Sequence, residues 1–125
     1  MVERHPLFRP LREIVLKTEG LADVLREALG TEGVQFAFVY GSIAAANATA
    51  GSDVDIVVVG SLGLREAVRR LGPAHDVLAR EINPNVWTRL EFDRRRSEND
   101  PFLSRVLAAP TIAVIGEVPG KSDES

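Results

Sequence analysis

Two carboxylates, Asp53 and Asp55, stand at i, i+2 at the mouth of an apolar run, Ile56-Val57-Val58-Val59, and a Gly-Ser pair, Gly41-Ser42, lies ten residues before them. In a strand, successive side chains point to opposite faces, so Asp53 and Asp55 share one face and Val54 and Ile56 the other. Two acids side by side repel, and a cation between them relieves the repulsion. Carboxylate oxygens suit Mg²⁺, which takes one or two protein carboxylates and fills its shell with phosphate oxygens and water. A Gly-Ser turn that opens a helix aims free backbone N–H groups at an anion. The Ser42 hydroxyl can donate to that anion or cap the helix, and both roles exploit the same unpaired groups. A metal-binding pair beside a phosphate cradle points to phosphoryl or nucleotidyl transfer. Neither half is specific alone, since Gly-Ser is ordinarily a turn and Asp-x-Asp is common. The joint pattern is sharper. The run after the acids reads as a central strand buried on both sides, and charges at its mouth have no packing reason to be there.

Gly41-Ser42, ten residues and Asp53-x-Asp55 resemble the signature of minimal nucleotidyltransferases of the DNA polymerase β superfamily. His5-Pro6-Leu7-Phe8, Leu16-Lys17-Thr18-Glu19-Gly20-Leu21-Ala22, Ala37-Phe38-Val39-Tyr40 and Arg80-Glu81-Ile82-Asn83-Pro84 are similar to a branch often fused to a winged helix. Asp100-Pro101-Phe102-Leu103 followed by Val106-Leu107 fits that branch too, and the resemblance covers roughly residues 5–116. It implies an α/β fold, a small mixed sheet with helices packed on one face. The implied reaction is Mg²⁺-dependent transfer of a nucleoside monophosphate, AMP from ATP in the first place, to a hydroxyl, with two ions at the site. Asp53 and Asp55 would hold the ions, and Gly41 and Ser42 would seat the triphosphate.

The resemblance also implies a third carboxylate on a later strand, where no Asp between apolar residues is evident. Glu81 is the first choice as third metal ligand and catalytic carboxylate, holding the ion that activates the acceptor and accepting its proton, because it begins the third expected strand. Its alternative is an exposed acid paired with Arg80. Glu91 and Asp93 come next, with helix capping and solvation as their ordinary roles. Small relatives pair with a HEPN-type partner in toxin–antitoxin modules, which implies a protein acceptor of that kind or a site shared with a second copy of the chain. There are departures. Ala45-Ala46 stands where relatives often carry Arg-Gly, and no winged helix precedes residue 5, so a DNA-binding part is not expected here. The rival reading is a non-catalytic module that keeps the fold and binds a nucleotide or a partner.

At 125 residues the chain is expected to form a single domain over 1–125, with its core in 5–116 and a loose polar tail over 117–125. A domain of this size buries about two thirds of its unfolded surface. A net charge of −3 argues against strong general nucleic-acid binding. The absence of cysteine excludes disulfides and thiolate zinc sites. No apolar run approaches membrane-spanning length and no secretory signal is evident, so no membrane association and a cytoplasmic location are expected.

The elements that must position the acids follow from periodicity and punctuation. Pro10 precedes a helical pattern of Leu11, Ile14, Val15, Leu21, Val24, Leu25 and Leu29, weakened or split at Gly20 and ended by Gly30. Val34–Tyr40 reads as a strand, Ile43–Ala48 as a short helix and Asp53–Val59 as the second strand. Ser61–Leu71 reads as a helix closed by Gly72-Pro73. Glu81–Trp87 reads as a third strand whose Pro84 suits an edge. Thr88-x-x-Glu91 signals a capped helix through Arg95 or Arg96. Asp100-Pro101 opens another through Leu107, and Thr111–Ile115 is the last short strand. Thr49 and Ser52 read as turn formers, Arg69-Arg70 and Arg94-Arg95-Arg96 as solvated helix faces. Tyr40 reads as packing beneath the Gly-Ser turn and Trp87 as core or rim packing. His5 and His75 have no metal-ligand spacing.

Overall fold

The computed structural model describes residues 18–45 and 52–119, within which the chain runs α1 (Thr18–Leu29), β1 (Val34–Tyr40), β2 (Val54–Gly60), α2 (Leu64–Leu78), β3 (Ile82–Trp87), α3 (Arg89–Ser97), α4 (Pro101–Ala108) and β4 (Ile112–Ile115). The strands form one mixed sheet in the order β3-β2-β1-β4. β1 pairs antiparallel with both β2 and β4, and β2 pairs parallel with β3. The expected α/β class with a small mixed sheet is what the chain adopts.

The helices cover both faces of the sheet, not one. Val54, Ile56 and Val58 of β2 face Leu21, Leu25 and Leu29 of α1 and Leu71, Ala74 and Leu78 of α2. Val57 and Val59 face the other way, onto Phe92 of α3 and Leu103 and Val106 of α4, joined by Phe36 and Phe38 of β1. A strand apolar at every position from 56 to 59 needs a cover on each side, and two pairs of helices supply it.

Helix α1 runs through Gly20 and stops at Gly30, whose φ of +70° suits the left-handed residue after a helix and whose N–H donates to the Arg26 carbonyl at 2.9 Å. The Leu11, Ile14 and Val15 pattern lies outside the described residues. Helix α2 is displaced from expectation: it begins at Leu64 and continues through Gly72-Pro73 to Leu78. Pro73 removes one helical hydrogen bond at a cost of about 3 kcal/mol. Full burial of Leu71 and Leu78 returns about 1.5–3 kcal/mol each, so the apolar stripe prevails over the breaker. Arg70 ties the two helices of this face together, donating to the carbonyls of Leu29 and Glu32, both at 2.9 Å.

The shorter elements fall where their punctuation puts them. The Thr88 hydroxyl accepts from the Glu91 N–H at 3.0 Å and the Asp100 carboxylate from the Leu103 N–H at 2.9 Å, caps worth about 1 kcal/mol each. Pro84 sits in β3, an edge strand, where a missing N–H is tolerated. Trp87 packs against Phe92 and Phe102, with the Arg95 guanidinium 4.5 Å from its ring centre. Among the described residues, no helix is long and apolar enough to cross a membrane.

Candidate active site

Three strand ends meet at one rim of the sheet: the end of β1 at Tyr40, the start of β2 at Val54 and the start of β3 at Ile82. The register sets Tyr40 and Asn83 on either side of Asp55. Asp55 therefore sits in the middle of a three-strand row, on the face that carries Val57 and Val59. Asp53 precedes it by one pleat on the same face, as the alternation requires. The Asn83 side-chain N–H₂ donates to both acids, at 3.2 Å to Asp53 Oδ2 and 3.3 Å to Asp55 Oδ1. Arg80 holds the approach to the pair, donating to the Ser52 carbonyl at 2.7 Å.

Gly41 closes the other side. Its φ is +84°, and a Cβ there would stand 2.7 Å from Asp55 Oδ2. The glycine is thus required twice, by the backbone and by the carboxylate that lies against it. Ser42 follows directly, exposed to solvent. The expected helix over 43–48 is a single turn as far as residue 45, with the Ala45 N–H donating to the Gly41 carbonyl at 3.0 Å. Residues 46–48 and Thr49 lie outside the described residues.

The structure brings Gly41, Ser42, Asp53 and Asp55 to one rim but does not bring Glu81 to them. Residue 81 precedes the first paired residue of β3, and its carboxylate turns toward α2, 3.9 Å from His75 Nε2. Among the described residues, no three His, Cys, Asp or Glu side chains gather closely enough to hold a metal ion. Glu91 and Asp93 are engaged on α3. Glu91 lies 2.9 Å from Arg95 and 3.3 Å from Arg94, and Asp93 lies 3.0 Å from Arg89. The Arg95 hydrogen bond holds the Glu91 carboxyl below its ordinary range.

Sequence reasoning missed Asn83 and Asn85. Their signal was present: two amides at i, i+2 on an edge strand repeat the spacing of the two acids on its neighbour. Asn85 donates to the Tyr40 hydroxyl at 2.8 Å, and the Tyr40 ring meets Phe102 edge-on at 5.6 Å. Burial first, and the Asp55 charge second, push the Tyr40 phenol above its ordinary pKa, against the Asn85 hydrogen bond. The neutral phenol is therefore favoured in the fold. Its contribution is present below the unfolded value near pH 10 and is lost as pH rises through the higher folded value. Tyr40 is the single tyrosine, so its absorbance titration reads the site directly. Asp55→Asn should move that titration toward lower pH, and an unmoved curve would show that the Asp55 charge does not reach the phenol.

The family model described as "Nucleotidyltransferase domain" matches residues 20–114. A solved structure of a candidate nucleotidyltransferase from Sulfolobus solfataricus is similar at 16% identity over 70% of this chain and 78% of that one, with a TM-score of 0.42. No curated protein matches the chain significantly in sequence.

Proposed function

The chain belongs to the nucleotidyltransferase domain family, and on that premise we propose that it transfers a nucleoside monophosphate from a nucleoside triphosphate to a hydroxyl at the rim formed by Gly41, Ser42, Asp53 and Asp55. The observation that carries this reading is the geometry of the two acids. One amide reaches a carboxylate oxygen of each, so both present oxygens to one point at the solvent edge. An oxygen-only donor set of this kind fits Mg²⁺. When bound there, Mg²⁺ supplies neutralisation of the triphosphate charge and of the charge developing on the leaving pyrophosphate.

In this reading Asp53 and Asp55 hold the ion or ions, two being the number the wider resemblance implies. Gly41 lets the chain pass close to Asp55, and Ser42 offers its hydroxyl and N–H to the triphosphate. Ser42 and Asp53 are exposed at the rim, which leaves the acceptor hydroxyl to come from solution or from a second macromolecule. ATP is the first donor to test. A HEPN-type protein in a toxin–antitoxin pair is the first acceptor, with a second copy of this chain as the other; both rest on the resemblance to minimal nucleotidyltransferases. Glu81 as third acid requires its side chain to leave His75. Glu81→Gln is expected to keep Mg²⁺–ATP binding.

The test is incubation with ATP labelled at the α-phosphate and Mg²⁺, alone and with the product of the neighbouring gene. Label on a protein, with pyrophosphate released, is the expected result. The absence of a three-acid cluster among the described residues favours one rival, a module that binds nucleotide without turnover. Metal-dependent ATP binding with no label on any acceptor would select it.

A further inference from the structure

We propose that Asn83 is the third oxygen ligand of the cation site, and that in the metal-free protein its amide stands in for the cation. The proposal rests on the nucleotidyl-transfer reading of Asp53 and Asp55 and deepens it. The Asn83 side chain touches both acids, at 3.2 and 3.3 Å through the same nitrogen. A donor shared between two carboxylates lies where a cation bridging them would lie. Its place is fixed by the parallel register that sets Asn83 beside Asp55, and it is solvent-exposed on an edge strand, with room to turn.

A carboxamide carries a donor and an acceptor on the same carbon. With no cation, the N–H₂ faces the acids and offsets their repulsion. When a cation enters, rotation of the terminal torsion turns Oδ1 toward it, and carboxamide oxygens are accepted ligands of hard cations. No bond forms or breaks other than coordination and hydrogen bonds. The choice of amide over acid also sets the charge. Asp53, Asp55 and Asn83 together carry two negative charges, which one divalent ion balances. With a single ion bound, a third carboxylate would leave one negative charge uncompensated before an incoming triphosphate. Asn83 thus completes the ligand set while keeping the site receptive to an anion.

The test compares wild type, Asn83→Ala and Asn83→Asp for Mn²⁺ binding without nucleotide, by electron paramagnetic resonance of free Mn²⁺ and by melting temperature with and without the ion. Asn83→Ala should bind Mn²⁺ about 10–100-fold more weakly, the usual loss when a supporting group of a metal site is removed. Asn83→Asp should bind more tightly than wild type. It should also melt lower than wild type without metal and recover when Mn²⁺ is added, because a third acid replaces the donor that separates two. A purely structural role for Asn83 predicts wild-type Mn²⁺ affinity in Asn83→Ala, since a third acid at position 83 attracts a cation whatever the amide does. Wild-type binding with Asn83→Ala unchanged, or with Asn83→Asp weakened, overturns the role of Asn83 and leaves the two-acid site standing. No Mn²⁺ binding by wild type overturns the cation reading and this proposal with it.

Discussion

Gly41→Ala is expected to lower nucleotidyl transfer by about a hundredfold, the typical cost of displacing a reacting or ligating group by roughly 1 Å. The added Cβ would lie 2.7 Å from Asp55 Oδ2, against 3.4–4 Å in ordinary contact. The carboxylate is the free end of a side chain, so it moves and the backbone need not. The fold then survives with a modest loss of about 1–2 kcal/mol from holding a non-glycine residue at positive φ. Gly30→Ala is the matched control. Gly30 has a φ of +70° with nothing within 4 Å of the added Cβ, so it should carry a similar backbone penalty and full activity. Transfer rates and thermal melts of both variants check the prediction. Equal activity in the two would mean that the position of Asp55 is not critical.

Asp55→Asn is expected to reduce transfer by about a thousandfold or more, since metal stabilisation of phosphoryl charge is worth several kcal/mol and each 1.36 kcal/mol is tenfold in rate. The same change should leave the metal-free melting temperature equal to or above that of wild type. Asparagine keeps an oxygen to accept from Asn83 and removes one of two like charges on a single strand face. Loss of activity together with retained or improved stability is the signature of a residue held for chemistry at some cost to the fold. If Asp55→Asn melts lower without metal and wild type transfers nothing to any offered acceptor, the acids are structural.

The fold was legible wherever punctuation and periodicity agreed. Val34–Tyr40 is rich in β-branched and aromatic residues and is bounded by Gly33 and Gly41, and Thr88 and Asp100 cap the helices that follow them. It was misread where a local signal met a long-range one. Gly72-Pro73 reads as a stop, yet Leu71, Ala74 and Leu78 continue a buried stripe across it, and burial against α1 and the sheet exceeds the cost of the proline. The two-sided covering of the sheet was implicit in the unbroken apolar run of β2 but conflicted with helices on a single face.

The candidate site was half legible. That Asp53 and Asp55 share a face follows from strand alternation alone, whereas the need for glycine at 41 shows only in its φ of +84° and the nearness of the Asp55 carboxylate. Asn83 could not be ranked without knowing that β3 pairs parallel with β2 in the register that sets residue 83 beside residue 55. The direction of Glu81 depended on whether the strand begins before or after it. Inside the strand, alternation would set Glu81 on the face of Asn83, but Glu81 lies just outside the paired segment, where the pleat no longer fixes its direction, and turns toward His75.

In the proposed function, Asp53 and Asp55 bind nucleotide through a divalent cation. Calorimetric titration of the protein with ATP, in Mg²⁺ and again in EDTA, tests it most directly. ATP should bind saturably with Mg²⁺ and at least about tenfold more weakly once EDTA removes the metal, a difference of about 1.4 kcal/mol or more. Equal affinity with and without metal, or no binding in either, would contradict it.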